Sequence, residues 1–134
     1  RAYATNVRAP YALTKALLPL IAARKGQIVF INSTVTRAAN LAGRGQYAAM
    51  ALAQRAIADS LRDEINKDGV RVMTIYPGST ATRLQRAIHR DQGKTYRPSR
   101  LLQPGDVAQA VCDALAMPRT AEVTDLYVRP MLKS

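Results

Sequence analysis

The chain is 134 residues long and 48% hydrophobic, with 20 Lys and Arg against 9 Asp and Glu, a net charge of +11. That length holds one domain with a real core, and the longest apolar run, residues 16–23, is too short to cross a bilayer. A single cysteine (Cys112) and a single histidine (His89) exclude a disulfide framework, a cysteine metal cluster and a His–His metal site, and they suit a reducing, cytoplasmic compartment.

Residues 6–24 are predicted helical, with apolar positions at Leu13, Ala16, Leu17, Leu20 and Ile21 recurring at helical spacing. Pro10 suits the first turn, Pro19 is expected to kink or shorten the last turns, and Gly26 is expected to close the helix. Residues 28–31 (Ile-Val-Phe-Ile) form a continuous apolar run, the mark of a strand buried on both faces. Residues 32–46, rich in Ser, Thr, Asn and Gly, read as a loop. A long helix follows over 46–67 and stops at Asp68-Gly69. Residues 70–76 alternate and are β-branched, a second strand broken by Pro77-Gly78. A short basic helix over 83–91, an irregular stretch to Gln103, a helix over 104–116 and a strand over 122–128 complete the chain.

Helix and strand in alternation predict an α/β fold with three parallel strands and crossover helices. A sheet that small leaves an open apolar edge. The chain therefore reads as a single partial domain over 1–134, one half of a Rossmann-like doubly wound domain, whose other half would carry the Gly-rich phosphate turn. It opens on Arg1 and not Met, which fits a piece of a longer protein.

Four motifs occur in one order on this topology. Asn6-Val7 opens the first helix, and residues 26–33 (Gly-Gln-Ile-Val-Phe-Ile-Asn-Ser) end a strand in serine. Tyr47-Ala48-Ala49-Met50-Ala51 opens the long helix, and Pro77-Gly78-Ser79-Thr80-Ala81-Thr82 follows the second strand. Order and spacing resemble the carboxy-terminal portion of a short-chain dehydrogenase/reductase over essentially the whole chain. The resemblance implies NAD or NADP as cofactor and an alcohol or carbonyl as substrate, with Tyr47 as acid/base, Ser33 polarising the substrate oxygen and Asn6 in the proton relay. Pro77, Gly78 and Thr82 would pack against the nicotinamide, and the helices 6–24 and 46–67 would associate in a homo-oligomer. The residues support those roles independently, since ligands of doubly wound sheets bind at the carboxyl ends of strands. Two hydroxyls aimed at a carbonyl oxygen would also stabilise the charge that hydride addition creates there. Counting along the strand selects Ser33 as the hydroxyl donor; counting back from Tyr47 selects Thr34.

One position departs from the family pattern Tyr-x-x-x-Lys: residue 51 is alanine. One turn after Tyr47 it occupies the same helix face, where an ammonium would lower the phenol's pKa. A free phenol ionises near pH ~10, and losing a tuned acid/base costs roughly two to four orders of magnitude in rate. Arg55, a turn further on, would have to fold back to substitute. The chain is therefore expected to be an impaired catalyst.

Other residues keep two readings. Asn6 either joins the relay or caps its helix, and Thr82 either meets the cofactor or caps the helix after it. His89, Tyr96 and Arg97 either line a substrate pocket or form a basic surface loop. Cys112 lies within an apolar pattern and is expected in the core. The basic residues between Arg83 and Arg100 have one aromatic among them, Tyr96, too few for base stacking, so nucleic acid is an improbable partner. A non-catalytic relative acting in assembly is the other alternative.

Overall fold

The computed structural model describes residues 1–132. Its sheet is built on β2 (Arg71–Pro77), which is flanked by β1 (Gln27–Ile31) and β3 (Asp125–Val128), both parallel to it, in the order β1-β2-β3. Helix α1 (Ala9–Ala23) precedes β1, α2 (Gly45–Ile65) lies between β1 and β2, and α3 (Arg83–Asp91) and α4 (Pro104–Leu115) lie between β2 and β3. The three-stranded parallel sheet with crossover helices is the expected one, half of a Rossmann-like domain.

Burial follows strand position. Val72, Thr74, Ile75 and Tyr76 of the central strand have no exposed surface. On β1, which pairs on one side only among the described residues, Ile31 is 57% exposed. The main core lies between sheet and helices: Phe30, Val70 and Val72 pack on Ala58 and Ile65 of α2 and on Leu18, Ile21 and Ala22 of α1.

That packing corrects the first helix. Leu13, Leu17 and Leu20 are exposed, and Leu18, Ile21 and Ala22 face the sheet. Residues 16–23 are apolar almost all round, so periodicity alone could not select the buried side. Pro19 neither ends the helix nor shortens it, since α1 runs on to Ala23. The closing residue differs too. Lys25 takes the left-handed conformation (φ 48°), its N–H meets the Ala22 carbonyl and the Gly26 N–H meets that of Ile21, a Schellman closure with lysine at the special position. Gly26 is needed for a different reason: a Cβ there would stand 2.9 Å from Ile21 Cγ2.

Strand β3 begins at Asp125 and not at 122. Glu122 is drawn out of the ladder, because its carboxylate accepts from the Val72 N–H (2.9 Å) and from Asn66 Nδ2 (2.9 Å). Cys112 is exposed and free, which corrects its expected burial. Val107, Ala110, Val111 and Ala114 form the partly buried stripe of α4, and residue 112 lies off it.

Candidate active site

Ser33 leaves β1 through Asn32. The Asn32 carboxamide oxygen accepts from the Ser33 N–H (2.8 Å), while its Nδ2 donates to the carbonyl of Ala51 (2.9 Å). Asn32, missed by sequence reasoning, thus ties the strand end to the first turns of α2. An Asx residue between strand and serine was the signal available. Ser33 caps a 3-10 turn, Thr34–Arg37, and its Oγ accepts from the Val35 N–H (3.2 Å). Accepting there leaves the hydroxyl proton available to donate. Thr34 is the first residue of the same turn, so both residues lie at the carboxyl end of β1.

Tyr47 is the third residue of α2 and 49% exposed, and its hydroxyl has no partner among the described residues. Ala51 is only 7% exposed and packs with Val35 and Ala48. Residue 51, where the resemblance expects a lysine, thus carries only a methyl group and no cation. Arg55 does not replace it. Its guanidinium pairs with Asp59, one turn further from Tyr47 (3.5 Å). Partial burial works against the Arg55 charge, but the phenols of Tyr127 and Tyr76 and the carboxylates of Asp59 and Asp125 outweigh it and hold its pKa above the ordinary value.

Asn6 lies inside a π-helical turn, Ala4–Arg8, continuous with α1. Its side chain caps nothing, which removes the capping reading. The turn brings it to α2 instead: Nδ2 approaches Met50 Sδ (4.0 Å) and the Asn6 carbonyl accepts from Gln54 Nε2 (3.3 Å). Such π-turns recur at functional sites.

Pro77 ends β2, and the Gly78 N–H donates to the Val128 carbonyl (2.7 Å). A Cβ on Gly78 would come within 3.0 Å of Pro130 Cδ and 3.3 Å of Arg129 Cα, so glycine lets the two strand ends approach without displacing residues 129–130. Thr82 caps α3, its Oγ1 accepting from the Gln85 N–H (3.2 Å) with the hydroxyl proton still free to donate. The two readings of Thr82 are therefore compatible. Beyond it, His89 and Tyr96 meet edge to face (5.5 Å), Arg86 lies over the Tyr96 ring (5.3 Å) and His89 Nδ1 is 2.8 Å from the Gln85 carbonyl. His89 and Tyr96 are thus packed on α3. Arg97 stands at the start of another 3-10 turn, Pro98–Arg100.

A cavity of about 320 Å³ is lined by Lys25, Asn66, Gly69, Arg71, Arg119 and Glu122. It sits at the amino-terminal ends of the strands and touches none of these candidate residues. Among the described residues no group of His, Cys, Asp and Glu is placed to hold a metal, and no helix is long and apolar enough to cross a membrane. The residues present fit the nicotinamide end of a dinucleotide: a turn at the carboxyl end of the central strand, closed by glycine, with a free hydroxyl proton on Thr82. Residue 51, where the resemblance expects a ribose-holding lysine, is alanine.

Residues 1–93 match the short chain dehydrogenase family. The chain is 30% identical over 133 residues to an uncharacterized oxidoreductase of Staphylococcus aureus (strain MRSA252), covering 94% of this chain and 52% of that protein. It is 37% identical over 111 residues to a dehydrogenase/reductase SDR family protein 7-like of Anopheles gambiae, covering 78% and 35%. Among solved structures it resembles a short-chain dehydrogenase/reductase family oxidoreductase from Burkholderia thailandensis (TM-score 0.78, 27% identity, 92% of this chain and 52% of that one). It also shares the fold of an alcohol dehydrogenase from the archaeon Thermococcus sibiricus, complexed with 5-hydroxy-NADP (TM-score 0.77, 23% identity, 96% and 52%). The chain spans about half the length of the Staphylococcus aureus relative (52%) and about a third of the Anopheles gambiae one (35%). With the family matched over most of its length and the parallel sheet in place, the chain belongs to the short-chain dehydrogenase/reductase family.

Proposed function

We propose that this chain supplies the acid/base side of an NAD(P)-dependent oxidoreductase that interconverts a small-molecule alcohol and a carbonyl, and that Ala51 leaves it impaired. Tyr47 gives its hydroxyl proton to the carbonyl oxygen as the carbon takes up hydride, and the Ser33 hydroxyl donates to that oxygen and stabilises its developing charge. Asn6 belongs to the relay that returns a proton to Tyr47. Pro77, Gly78 and Thr82 hold the nicotinamide, which supplies the hydride when bound. The supporting observation is the Asn32 bridge from Ser33 to the Ala51 carbonyl, which links the serine turn to the helix of Tyr47. Because Tyr47 has no neighbouring ammonium, the rate falls short of a lysine-bearing enzyme by roughly two to four orders of magnitude.

The test is Ala51→Lys in the full-length protein, assayed with NADH and NADPH against a panel of aldehydes and ketones. Reduction is expected to rise by roughly 10²- to 10⁴-fold and to be abolished by adding Tyr47→Phe. If a folded Ala51→Lys variant neither reduces any carbonyl nor binds either dinucleotide, the reading fails.

A second reading, a non-catalytic relative acting in assembly, draws on the exposed Leu13, Leu17 and Leu20 of α1. That stripe and α2 are the surfaces proposed for a homo-oligomer in either case. A protein that stays monomeric at high concentration in sedimentation would remove it. The lone thiol fits the cytoplasm as the proposed location.

A further inference from the structure

Arg37, Tyr127 and Tyr76 form a stack beside the candidate site, in which none of them reacts. The Arg37 guanidinium lies 3.7 Å from the Tyr127 ring centroid. The Tyr127 ring in turn lies on Tyr76, with centroids 4.2 Å apart and planes within 4°. Two phenols held this nearly parallel form a stacked pair with a broad shared face. A cation over the outer face of Tyr127 adds an attraction of its own to the stack. Both phenol hydroxyls are buried; that of Tyr76 lies beside the Asp125 carboxylate, and that of Tyr127 has no hydrogen-bond partner among the described residues.

The three residues belong to the segments that build the site. Arg37 ends the 3-10 turn that Ser33 caps. Tyr76 immediately precedes Pro77, and Tyr127 pairs with Tyr76 across the sheet and precedes Val128, whose carbonyl takes the Gly78 N–H. The stack therefore spans from the serine turn to the glycine turn, a second tie beside the one Asn32 makes to α2.

We propose that Arg37 is a positioning residue: clamped on Tyr127 and through it on Tyr76, it fixes the turn carrying Ser33 relative to the strand ends carrying Pro77 and Gly78. Its purpose rests on the oxidoreductase reading, in which those groups must hold substrate oxygen and nicotinamide at one separation. The mechanical coupling itself does not depend on that reading. Arg37 is an exposed residue of a short turn, so its replacement leaves the core intact.

Amide hydrogen exchange of the protein and its variants tests the coupling. Arg37→Gln is expected to speed exchange at both the Val35 N–H, held by Ser33 Oγ, and the Gly78 N–H, held by Val128, by about two- to five-fold, the range for losing a solvent-facing cation–π contact. Tyr127→Leu should do the same, and the double variant no more than the larger single effect. Tyr127→Phe, which keeps the ring, should leave both amides unchanged. Faster exchange at Val35 alone, at neither amide, or equally with Tyr127→Phe overturns the proposal. A parallel NADPH titration separates the two ideas: coupled exchange without dinucleotide binding by any form supports the clamp and removes only the oxidoreductase reading.

Discussion

At the residue scale, the end of α1 separates two roles that a glycine in sequence merges. Gly26 has the type expected of a left-handed helix stop, yet Lys25 holds that conformation and Gly26 is required by contact with Ile21. The substitutions should therefore act in opposite directions. Lys25→Gly relieves a left-handed lysine, costing about 1–2 kcal/mol, against the flexibility glycine adds to the unfolded chain, and should stabilise by about 0.5–1 kcal/mol. Gly26→Ala forces a methyl group into Ile21 and should destabilise by about 1–3 kcal/mol. Urea unfolding midpoints at unchanged slope measure both; a lower midpoint for Lys25→Gly would show that the stem of Lys25 matters more than its backbone.

At the element scale, one side chain fastens a helix to the central strand and to the residue that leads into β3. Arg62 of α2 donates Nε to the Val72 carbonyl (2.8 Å) and Nη2 to the Thr124 carbonyl (3.1 Å), with Nη1 on Asp59 (2.9 Å). It is 13% exposed, so these bonds are partly sheltered from water. Arg62→Ala should cost about 2–3 kcal/mol. Arg62→Lys should recover less than half of that, because one ammonium cannot serve the fork that a planar guanidinium spans. Full rescue by lysine, measured in the same urea experiment, would reduce the contact to a point charge. The two bonds from Arg62 to the sheet side were invisible in sequence, as their acceptors are backbone carbonyls whose positions only the folded chain sets. The helix that carries it was legible because alanine, leucine and arginine propensity and the Asp68-Gly69 stop agreed with one another.

At the scale of the whole molecule, a tyrosine of the central strand links stability to alkaline pH. Tyr76 has no exposed surface, and its burial, followed by the nearby Asp125 carboxylate, pushes its phenol well above the ordinary tyrosine range. A group held protonated by the fold supports stability in full below its unfolded pKa, about 10. That support is lost as pH rises beyond it, because the unfolded chain releases the proton first. The protein should therefore lose stability progressively above about pH 10, and Tyr76→Phe should flatten the decline in thermal melts taken across that range. An equally steep decline in the Phe variant would assign the effect to other groups.

The sequence by itself determined the α/β class, the three strands, the order of the motifs and the absence of a lysine at residue 51, because each is written in local propensity, periodicity or spacing along one chain. Tertiary structure alone decided which side of α1 is buried, that Asn6 bridges to α2 and caps nothing, that Cys112 is exposed, and that Glu122 leaves the ladder to serve Val72 and Asn66. Each of these depends on partners far away in sequence, and an apolar or polar residue chooses between equivalent local options only when such a partner arrives.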